Sequence, residues 1–284
     1  MKTVLWTAGI LIIIYLLMIM PSFRSKKIMK PLRGVLYAHR GLYQNDSSAP
    51  ENSLAAFSRA VESGYGIEFD VQLTKDRVPV VFHDFTCQRM LRDQKGNPVK
   101  GRIKDYTYEE LMRFHLLESD QKVPSFNEFL DLVDGKVPLI VELKVEGDEN
   151  HQDLCALVDY RLDSYRGIYC VESFDPRVVI WYRRHHREIA RGQLGDMYTK
   201  GPHPMRGIRF VLAEYLCSNF LSRPDFVAYN WEYASNISRV LCHKLFGNVA
   251  VAYTIQSQQC LNEQKKNFDV MIFDIFIPEN GPKG

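Results

Sequence analysis

The 284-residue sequence lacks an excess of charge of either sign, because 36 Lys and Arg residues face 34 Asp and Glu residues. Without a global positive field, nonspecific nucleic-acid binding is excluded as the main activity, and we expect no nucleic-acid partner. The six cysteines include no C-x-x-C pair, which argues against a zinc site or a disulfide-framed scaffold. Internal repeats and a G-x-S-x-G nucleophile motif are also missing. The length then suits one large domain.

The N-terminal segment is one long apolar run, Val4 to Met20, without a charged residue. Its length is near the lower limit for crossing a bilayer, so we predict a transmembrane anchor over residues 1–22. A cleaved signal peptide is the alternative, but no A-x-A-like cleavage site follows the run. Basic residues are frequent in the linker 23–34, and the positive-inside rule then predicts a single-pass membrane protein with a cytoplasmic catalytic domain. The helix would contact membrane lipid.

Beyond Pro31, short β-rich apolar runs alternate with amphipathic segments, as is typical of βα units around a parallel sheet. The predicted strands are 35–39, 66–70, 138–144, 168–173, 188–194, 225–230, 249–255 and 269–274. Eight is the closure number of a (β/α)8 TIM barrel, an α/β fold that we predict over residues 35–284. The first helix is predicted to begin at Glu51, after the first strand.

One segment breaks the alternation. Residues 71–84 continue the second strand, turn at their midpoint and return without a helix, which predicts a hairpin on the barrel mouth. Antiparallel pairing would bring His83 back to the carboxylates of Glu68 and Asp70. The next residues, 85–123, form a small insertion that we expect to cap the substrate.

Polar side chains concentrate at the carboxyl ends of the predicted strands, where barrels of this kind place their active sites. They are His39, Arg40, Glu68, Asp70, His83, Asp84, Glu142, Lys144 and Ser173. Converging carboxylates repel one another unless a cation neutralises them, and oxygen ligands favour Mg2+ or Ca2+ over zinc. We therefore predict one divalent cation, with two histidines available as base and acid.

Five residues have both a structural and a functional interpretation: Glu51, Asn52, Asp84, Ser173 and Tyr253. Glu51 and Asn52 stand where a helix cap is expected, although Glu51 can also pair with an arginine. Asp84 can orient the preceding histidine or cap a turn. Ser173 can face the core or contact phosphate, and Tyr253 can belong to the core or line the substrate pocket.

An ordered set of short motifs follows the strand ends. The motifs are His39-Arg-Gly, Glu51-Asn52, Glu68-x-Asp70, His83-Asp84, Glu142-x-Lys144, Ser173-Phe174, AYTIQ and FDVMIFD. Each is weak alone, but in this order the set resembles the glycerophosphodiester phosphodiesterase (GDPD) family over residues 35–278. The resemblance covers nearly all of the chain beyond the apolar run.

The resemblance implies a metal-dependent hydrolase on a TIM barrel that converts glycerophosphodiesters to glycerol 3-phosphate and an alcohol. Some relatives act on lysophospholipids, which are therefore also expected substrates. By resemblance, the site consists of the catalytic pair His39 and His83, the metal ligands Glu68, Asp70 and Glu142, and the phosphate contacts Arg40 and Lys144. Either water attacks phosphorus directly, or the neighbouring glycerol hydroxyl attacks first and gives a cyclic phosphate.

The sequence departs from the family pattern on the closing side of the barrel. Residues 269–278 read DVMIFDIFIP, where a Gly-rich Thr-Asp-Pro ending is more usual. In addition, Ala252-Tyr253 stands in place of the aromatic residue that begins a WTVN-like stretch. A glycoside hydrolase using Glu68 and Glu142 is a rival interpretation, but it leaves the histidines unexplained. A membrane-tethered, non-catalytic phospholipid-binding module is another, and the presence of every motif residue argues against it.

Overall fold

The structure, a computed structural model, describes residues 2–147, 149–200, 204–279 and 281–282. Residues 1, 148, 201–203, 280, 283 and 284, which belong to the predicted ranges 1–22 and 35–284, lie outside the described residues. The strands are β1 (Leu36–His39), β2 (Gly66–Leu73), β3 (Pro79–Val81), β4 (Leu91–Arg92), β5 (His115–Leu116), β6 (Leu139–Leu143), β7 (Tyr169–Ser173), β8 (Ala190–Gly195), β9 (Phe226–Asn230), β10 (Val249–Ile255) and β11 (Val270–Phe273).

The α-helices are α1 (Lys2–Ile19), α2 (Ser25–Ile28), α3 (Leu54–Glu62), α4 (Tyr108–Leu111), α5 (Phe126–Val133), α6 (His151–Leu162), α7 (Pro176–His185), α8 (Ile208–Glu214), α9 (Asn219–Ser222), α10 (Ile237–Lys244) and α11 (Gln258–Gln264). Short 3-10 helices cover Lys30–Leu32, Ile103–Asp105 and Trp231–Tyr233.

Eight parallel strands close into a barrel in the order β1-β2-β6-β7-β8-β9-β10-β11, and β11 pairs with β1. Each overlaps one of the eight predicted runs. The runs are apolar because both faces of a barrel strand are covered, by the interior and by the surrounding helices. The predicted TIM-barrel fold is confirmed.

The hairpin predicted after the second strand is present. β3 runs antiparallel to β2, with Val71 opposite Val81, and the backbone N–H of Phe82 donates to the carbonyl of Asp70 at 3.0 Å. This pairing carries the chain back across the mouth, so that His83 follows directly after a residue bonded to Asp70.

The segment between β3 and α5 forms a small hydrophobic core of its own, which includes Cys87, Leu91 and Leu111. Within it, β4 pairs antiparallel with β5. An ion pair of 2.6 Å between Lys104 and Glu149 ties it to the loop that follows β6. The segment is thereby held over one side of the barrel mouth.

Helix α3 begins later than predicted, at Leu54 rather than Glu51. Ser53 is its N-cap, because the Ser53 hydroxyl accepts the backbone N–H of Ala56 at 3.1 Å. The capping interpretation of Asn52 is therefore wrong. Its side-chain amide instead donates to Asp70 Oδ2 at 3.0 Å.

Helix α1 does not form the predicted transmembrane anchor. Its 18 residues extend only about 27 Å at 1.5 Å per residue. The last turn of the helix packs against the barrel. Ile19 is fully buried, and the Tyr15 and Ser238 hydroxyls share a hydrogen bond of 2.6 Å. Across the residues that the structure describes, no helix combines the length and apolar character needed to cross a membrane. The predicted single-pass membrane location with a cytoplasmic catalytic domain is therefore wrong.

Candidate active site

Strand register places acidic side chains next to one another at the carboxyl ends of the strands. Asp70 on β2 is opposite Glu142 on β6, and Glu142 is opposite Glu172 on β7. Glu68 lies two residues before Asp70, on the same face of β2, and is opposite His39 on β1. All four carboxylates are buried. The sheet therefore collects more acidic side chains in its interior than the sequence motifs alone indicate.

Three of these carboxylates are arranged as a metal site would require. One carboxylate oxygen from each of Glu68, Asp70 and Glu142 lies within 4.8 Å of the other two. Glu68 Oε2 and Asp70 Oδ1 are buried without a hydrogen-bond donor, so both have lone pairs available to a cation. Carboxylate oxygens are ligands that Mg2+ and Ca2+ prefer. The predicted acidic triad can thus hold a divalent ion.

The electrostatics of the triad favour a bound cation. Burial raises the pKa of Glu68, and the charges of Asp70 and Glu142 raise it further. Burial also raises the pKa of Glu142, although Lys144 opposes this effect. Burial acts to raise the pKa of Asp70 as well, but Lys144, followed by His83 and Arg40, lowers it overall. The charged forms of Glu68 and Glu142 are therefore disfavoured, and a cation bound between the two side chains would lower the free energy of these charged forms.

Two cationic side chains border the triad. Lys144 Nζ lies 3.1 Å from Glu142 Oε1 and 3.3 Å from Asp70 Oδ1. Arg40 Nε lies 3.5 Å from Asp70 Oδ2, and Arg40 Nη1 donates to Glu51 at 2.7 Å. Both side chains are largely buried, so their positions are held by these carboxylates. Glu51 pairs with Arg40, as one of its two interpretations anticipated.

His39 lies between the triad and the end of β11. Its Nε2 is 3.7 Å from Glu68 Oε2, and its Nδ1 is 3.2 Å from Asp274 Oδ2. Burial, followed by the charge of Arg40, lowers the pKa of His39 even though Asp274 acts to raise it. The imidazole is therefore neutral near pH 7, with Nδ1–H donating to Asp274 and Nε2 free to accept a proton.

His83 lies on the other side of the mouth and is held by a chain of charged groups. Its Nδ1 is 2.6 Å from Asp84 Oδ1. Arg89 donates to Asp84 at 2.6 Å and 2.9 Å, and to Glu51 at 2.7 Å and 2.6 Å. Glu51 in turn accepts from Arg40, so one network connects His83 to the side chains around Asp70.

The carboxylate at the centre of this network makes the protein sensitive to acid. Burial alone would raise the pKa of Glu51, but hydrogen bonds from Arg89 and the charge of Arg40 outweigh it and lower the pKa to about 2. A depressed carboxyl pKa stabilises the fold above the ordinary value near 4.5, and this stabilisation disappears as the pH falls towards 2. At about 1.36 kcal/mol per pKa unit, the effect is on the order of 3 kcal/mol.

We expect Arg89→Gln to raise the pKa of Glu51 towards its ordinary value, so that the variant is less stable at pH 7 but loses less stability than the unmodified protein as the pH falls below 4.5. Urea unfolding between pH 7 and pH 3 measures the free energy of unfolding for both proteins. The control is Arg113→Gln, which removes an exposed arginine of the same segment. Identical pH profiles for the two variants would contradict the role given to Arg89.

Ser173 and Tyr253, which each have a structural and a functional interpretation, donate hydrogen bonds to backbone carbonyls. The buried Ser173 donates from Oγ to the carbonyl of Leu143 at 2.7 Å. Its side chain therefore faces the core, and its hydroxyl proton is engaged in this hydrogen bond. Tyr253 donates from its hydroxyl to the carbonyl of Gly195 at 2.8 Å. Its ring contacts Phe174, with centroids 6.1 Å apart, at the side of the mouth away from the hairpin.

Sequence reasoning missed three charged residues of the site: Arg89, Glu172 and Asp274. Asp274 closes the FDVMIFD motif and was available as a signal, since it follows the last strand directly. Glu172 has the signal of a carboxylate inside an apolar strand, which a buried strand rarely carries without a role. Arg89 has no local signal, because only folding of the insertion brings it to Asp84 and Glu51.

Comparison with known proteins identifies the family. The model of the Glycerophosphoryl diester phosphodiesterase family matches residues 39–273. The chain belongs to this family. A Glycerophosphodiester phosphodiesterase from Bacillus altitudinis is 37% identical over 118 residues, which are 39% of this chain and 44% of that protein. Human Glycerophosphodiester phosphodiesterase 1 is 34% identical over 118 residues, 38% of this chain and 33% of that protein. The chain thus matches less than half the length of these relatives.

Solved structures of the family share the barrel. A putative glycerophosphoryl diester phosphodiesterase from Silicibacter pomeroyi superposes with a TM-score of 0.69 at 20% identity, covering 86% of this chain and 93% of that one. An Oleispira antarctica phosphodiesterase, solved in complex with the product sn-glycerol-3-phosphate, has a TM-score of 0.66 at 21% identity and covers 86% and 94%. These likenesses support the fold, and the family resemblance read from the motifs is confirmed by the family model.

Proposed function

We propose that this protein hydrolyses glycerophosphodiesters to glycerol 3-phosphate and an alcohol, using bound Mg2+ or Ca2+. The observation that carries the proposal is the buried triad Glu68, Asp70 and Glu142, which lies between two histidines and beside two cationic side chains. Family membership supports the reaction class. The product bound to the Oleispira relative contains the glycerol and phosphate groups that the proposed reaction releases.

Substrate binding in this proposal uses the cationic side of the mouth. Arg40 and Lys144 contact the phosphate oxygens, exchanging part of their contact with Asp70 for the substrate. Glu68, Asp70 and Glu142 would hold the cation, which would polarise a phosphoryl oxygen and offset the charge that develops there. Because these groups are buried and already held by hydrogen bonds, little reorganisation is needed when the phosphate enters.

Proton transfer is divided between the two histidines. His39 is neutral and accepts at Nε2 the proton of the attacking water or glycerol hydroxyl, while Asp274 holds Nδ1 and stabilises the imidazolium that forms. His83, held through Nδ1 by Asp84, delivers a proton to the oxygen of the departing alcohol. His39 is the more buried of the two, whereas His83 is 31% exposed in its side chain, which supports a departing alcohol on the solvent side.

Lysophospholipids are proposed as a second substrate class, because apolar side chains are exposed beside the mouth. Ile275 and Ile277 follow Asp274 and are 69% and 72% exposed. They occupy the stretch where the sequence departs from the family's more polar ending. Ile208, 72% exposed, begins the helix after β8 and also lies on the mouth side. These side chains offer an acyl chain a surface that a glycerophosphodiester without one does not need.

The proposal is tested by incubating the purified protein with glycerophosphocholine and with lysophosphatidylcholine, in EDTA or with Mg2+ or Ca2+ added. We expect metal-dependent release of choline, together with glycerol 3-phosphate from the first compound. Detection of cyclic glycerol phosphate would distinguish attack by the substrate hydroxyl from direct attack by water. Binding of either compound without turnover under any metal would favour the non-catalytic phospholipid-binding module instead.

We expect the double variant Ile275→Ser and Ile277→Ser to lower kcat/KM for lysophosphatidylcholine about tenfold. Each side chain loses part of its apolar contact with the acyl chain, at about 25 cal/mol per Å2. Turnover of glycerophosphocholine should stay within twofold, since that substrate has no acyl chain. The matched control is Ile237→Ser, another exposed isoleucine. Equal loss on both substrates would argue against an acyl-chain surface here.

A further inference from the structure

The opposite end of the barrel carries a group of arginines that the proposed reaction does not use. They come from the linker after α1, the end of α7 and the turn beyond it, the start of β8, and the turn before β9. We call the surface formed by Arg24, Arg183, Arg184, Arg187, Arg191 and Arg223 the arginine cleft. It lies at the amino ends of the strands, whereas the carboxylate triad lies at their carboxyl ends.

The arginine cleft is concave. One cavity of about 510 Å3 is lined by Met20 to Phe23 and by five of the six arginines, Arg184 excepted. A second cavity, of about 290 Å3, shares Arg183 and Arg187 with the first and adds Arg184. The two cavities therefore adjoin each other along Arg183 and Arg187, and the larger has room for a phosphate ester.

The cleft has far more positive charge than its carboxylates neutralise. Asp225 is fully buried and serves two arginines at once, accepting from Arg24 at 2.8 Å and from Arg191 at 3.1 Å. Among the described residues, no carboxylate oxygen lies within 4.0 Å of a nitrogen of the other four arginines, which are Arg183, Arg184, Arg187 and Arg223.

Two of these four arginines are positioned by the backbone rather than by charge. Arg183 donates to the carbonyl of Leu221, and Arg223 donates to the carbonyl of Met20 at 3.3 Å. Each contact uses only some of the five N–H groups of a guanidinium. The remaining donors are held in place, which reduces the entropy cost of binding a ligand.

Like charges in the cleft repel one another. Burial, followed by the charges of Arg223, Arg187 and Arg184, lowers the pKa of Arg183. Burial lowers the pKa of Arg191 to about 10, although Asp225 acts to raise it. Holding these guanidiniums together costs free energy in the empty protein, and an anion placed between them would recover it.

We propose that the arginine cleft is a binding site for a phosphate-bearing anion. Guanidinium groups pair with phosphate oxygens through two parallel N–H donors, and several in one depression can surround the same phosphate. The anion is either a free phosphate or the phosphate of a phospholipid head group, which offer the same oxygens. The site is separate from the catalytic mouth, so the proposal does not depend on the proposed function.

The first experiment titrates inorganic phosphate into the metal-free 284-residue protein at constant ionic strength, by calorimetry. The variants are Arg183→Gln combined with Arg187→Gln, and Arg187→Glu alone. Arg187 is exposed, and within the part of the chain that the structure describes its side chain makes no hydrogen bond or ion pair, so we expect this second variant to keep the fold. We expect at least a tenfold weaker affinity in both. Arg40→Gln changes the catalytic mouth and should bind phosphate as the unmodified protein does. The double variant Arg161→Gln and Arg166→Gln controls for the loss of two exposed charges.

The second experiment distinguishes the two sources of phosphate. Flotation with phosphatidylcholine vesicles, with or without phosphatidic acid, measures binding that depends on the anionic head group. If the protein binds phosphate but does not prefer vesicles with phosphatidic acid, the ligand of the cleft is a free phosphate. If it prefers these vesicles and both cleft variants lose the preference, the ligand is a phospholipid head group. Unchanged affinity in both variants for phosphate and for phosphatidic acid vesicles would overturn the proposal. In every case we expect the cleft variants to turn over glycerophosphocholine within twofold of the unmodified protein.

Discussion

Replacing His39 by alanine is expected to lower kcat for glycerophosphocholine by about a thousandfold, within the range that general acid–base catalysis contributes. The neutral imidazole, with Nε2 facing the triad at 3.7 Å from Glu68, is the group proposed to take up the proton. KM should change only a few fold, because the proposed phosphate contacts, Arg40 and Lys144, are left in place. Steady-state kinetics with Mg2+ present measure both constants.

Two further variants test the role given to His39. Asp274→Asn keeps the shape of the residue bonded to Nδ1 but removes its charge, so we expect a smaller loss of kcat, on the order of tenfold. His185→Ala removes an exposed histidine on α7 and should have no effect. A loss below tenfold in folded His39→Ala would show that another group transfers the proton.

Replacing Glu68 by glutamine is expected to abolish most activity and at the same time to stabilise the metal-free protein. Burial and the neighbouring carboxylates disfavour the charged form of Glu68, so a neutral side chain of the same shape removes a repulsive interaction. We expect a gain of about 1–2 kcal/mol in the free energy of unfolding, which corresponds to a few degrees in Tm for a chain of this size. Thermal unfolding in EDTA measures the gain.

Adding a divalent cation should reverse this difference, so that the unmodified protein becomes more stable than Glu68→Gln. The unmodified protein gains stability from an ion that binds only the folded state, whereas Glu68→Gln has lost one ligand and gains less. The matched control is Glu62→Gln, on the surface of α3, which should respond to Mg2+ like the unmodified protein. Equal stabilisation of Glu68→Gln and the unmodified protein by Mg2+ and by Ca2+ would argue against a metal ligand at this position.

Most of the fold was predictable because its signals are local. Most barrel strands are largely apolar runs, and the polar residues at their carboxyl ends mark the mouth, as in Glu68-x-Asp70 and Glu142-x-Lys144. The hairpin was predictable for the same reason, since no helix-length segment separates β2 from β3. The positions of the two histidines and the acidic triad followed once the strand ends were known to meet.

Predictions failed where the outcome depended on contacts distant in sequence. The apolar run at the N-terminus was read as a membrane span from its length and hydropathy, but the end of the helix packs against α9 and Ser238 on the barrel. Asn52 was read as a helix cap, but Ser53 makes that contact and Asn52 reaches Asp70 on the next strand. Neither partner can be identified from neighbouring residues.

The sequence by itself determined the barrel, the family and most of the chemical groups at the mouth, because strand periodicity and ordered motifs are properties of short segments. Only the tertiary structure decided which groups contact one another. Arg89 joins Asp84 to Glu51, Asp274 holds His39, and the arginines from four separate segments form one cleft. These contacts form only when the barrel closes and brings together strands and loops that are far apart in the chain. A short segment of sequence therefore does not reveal them.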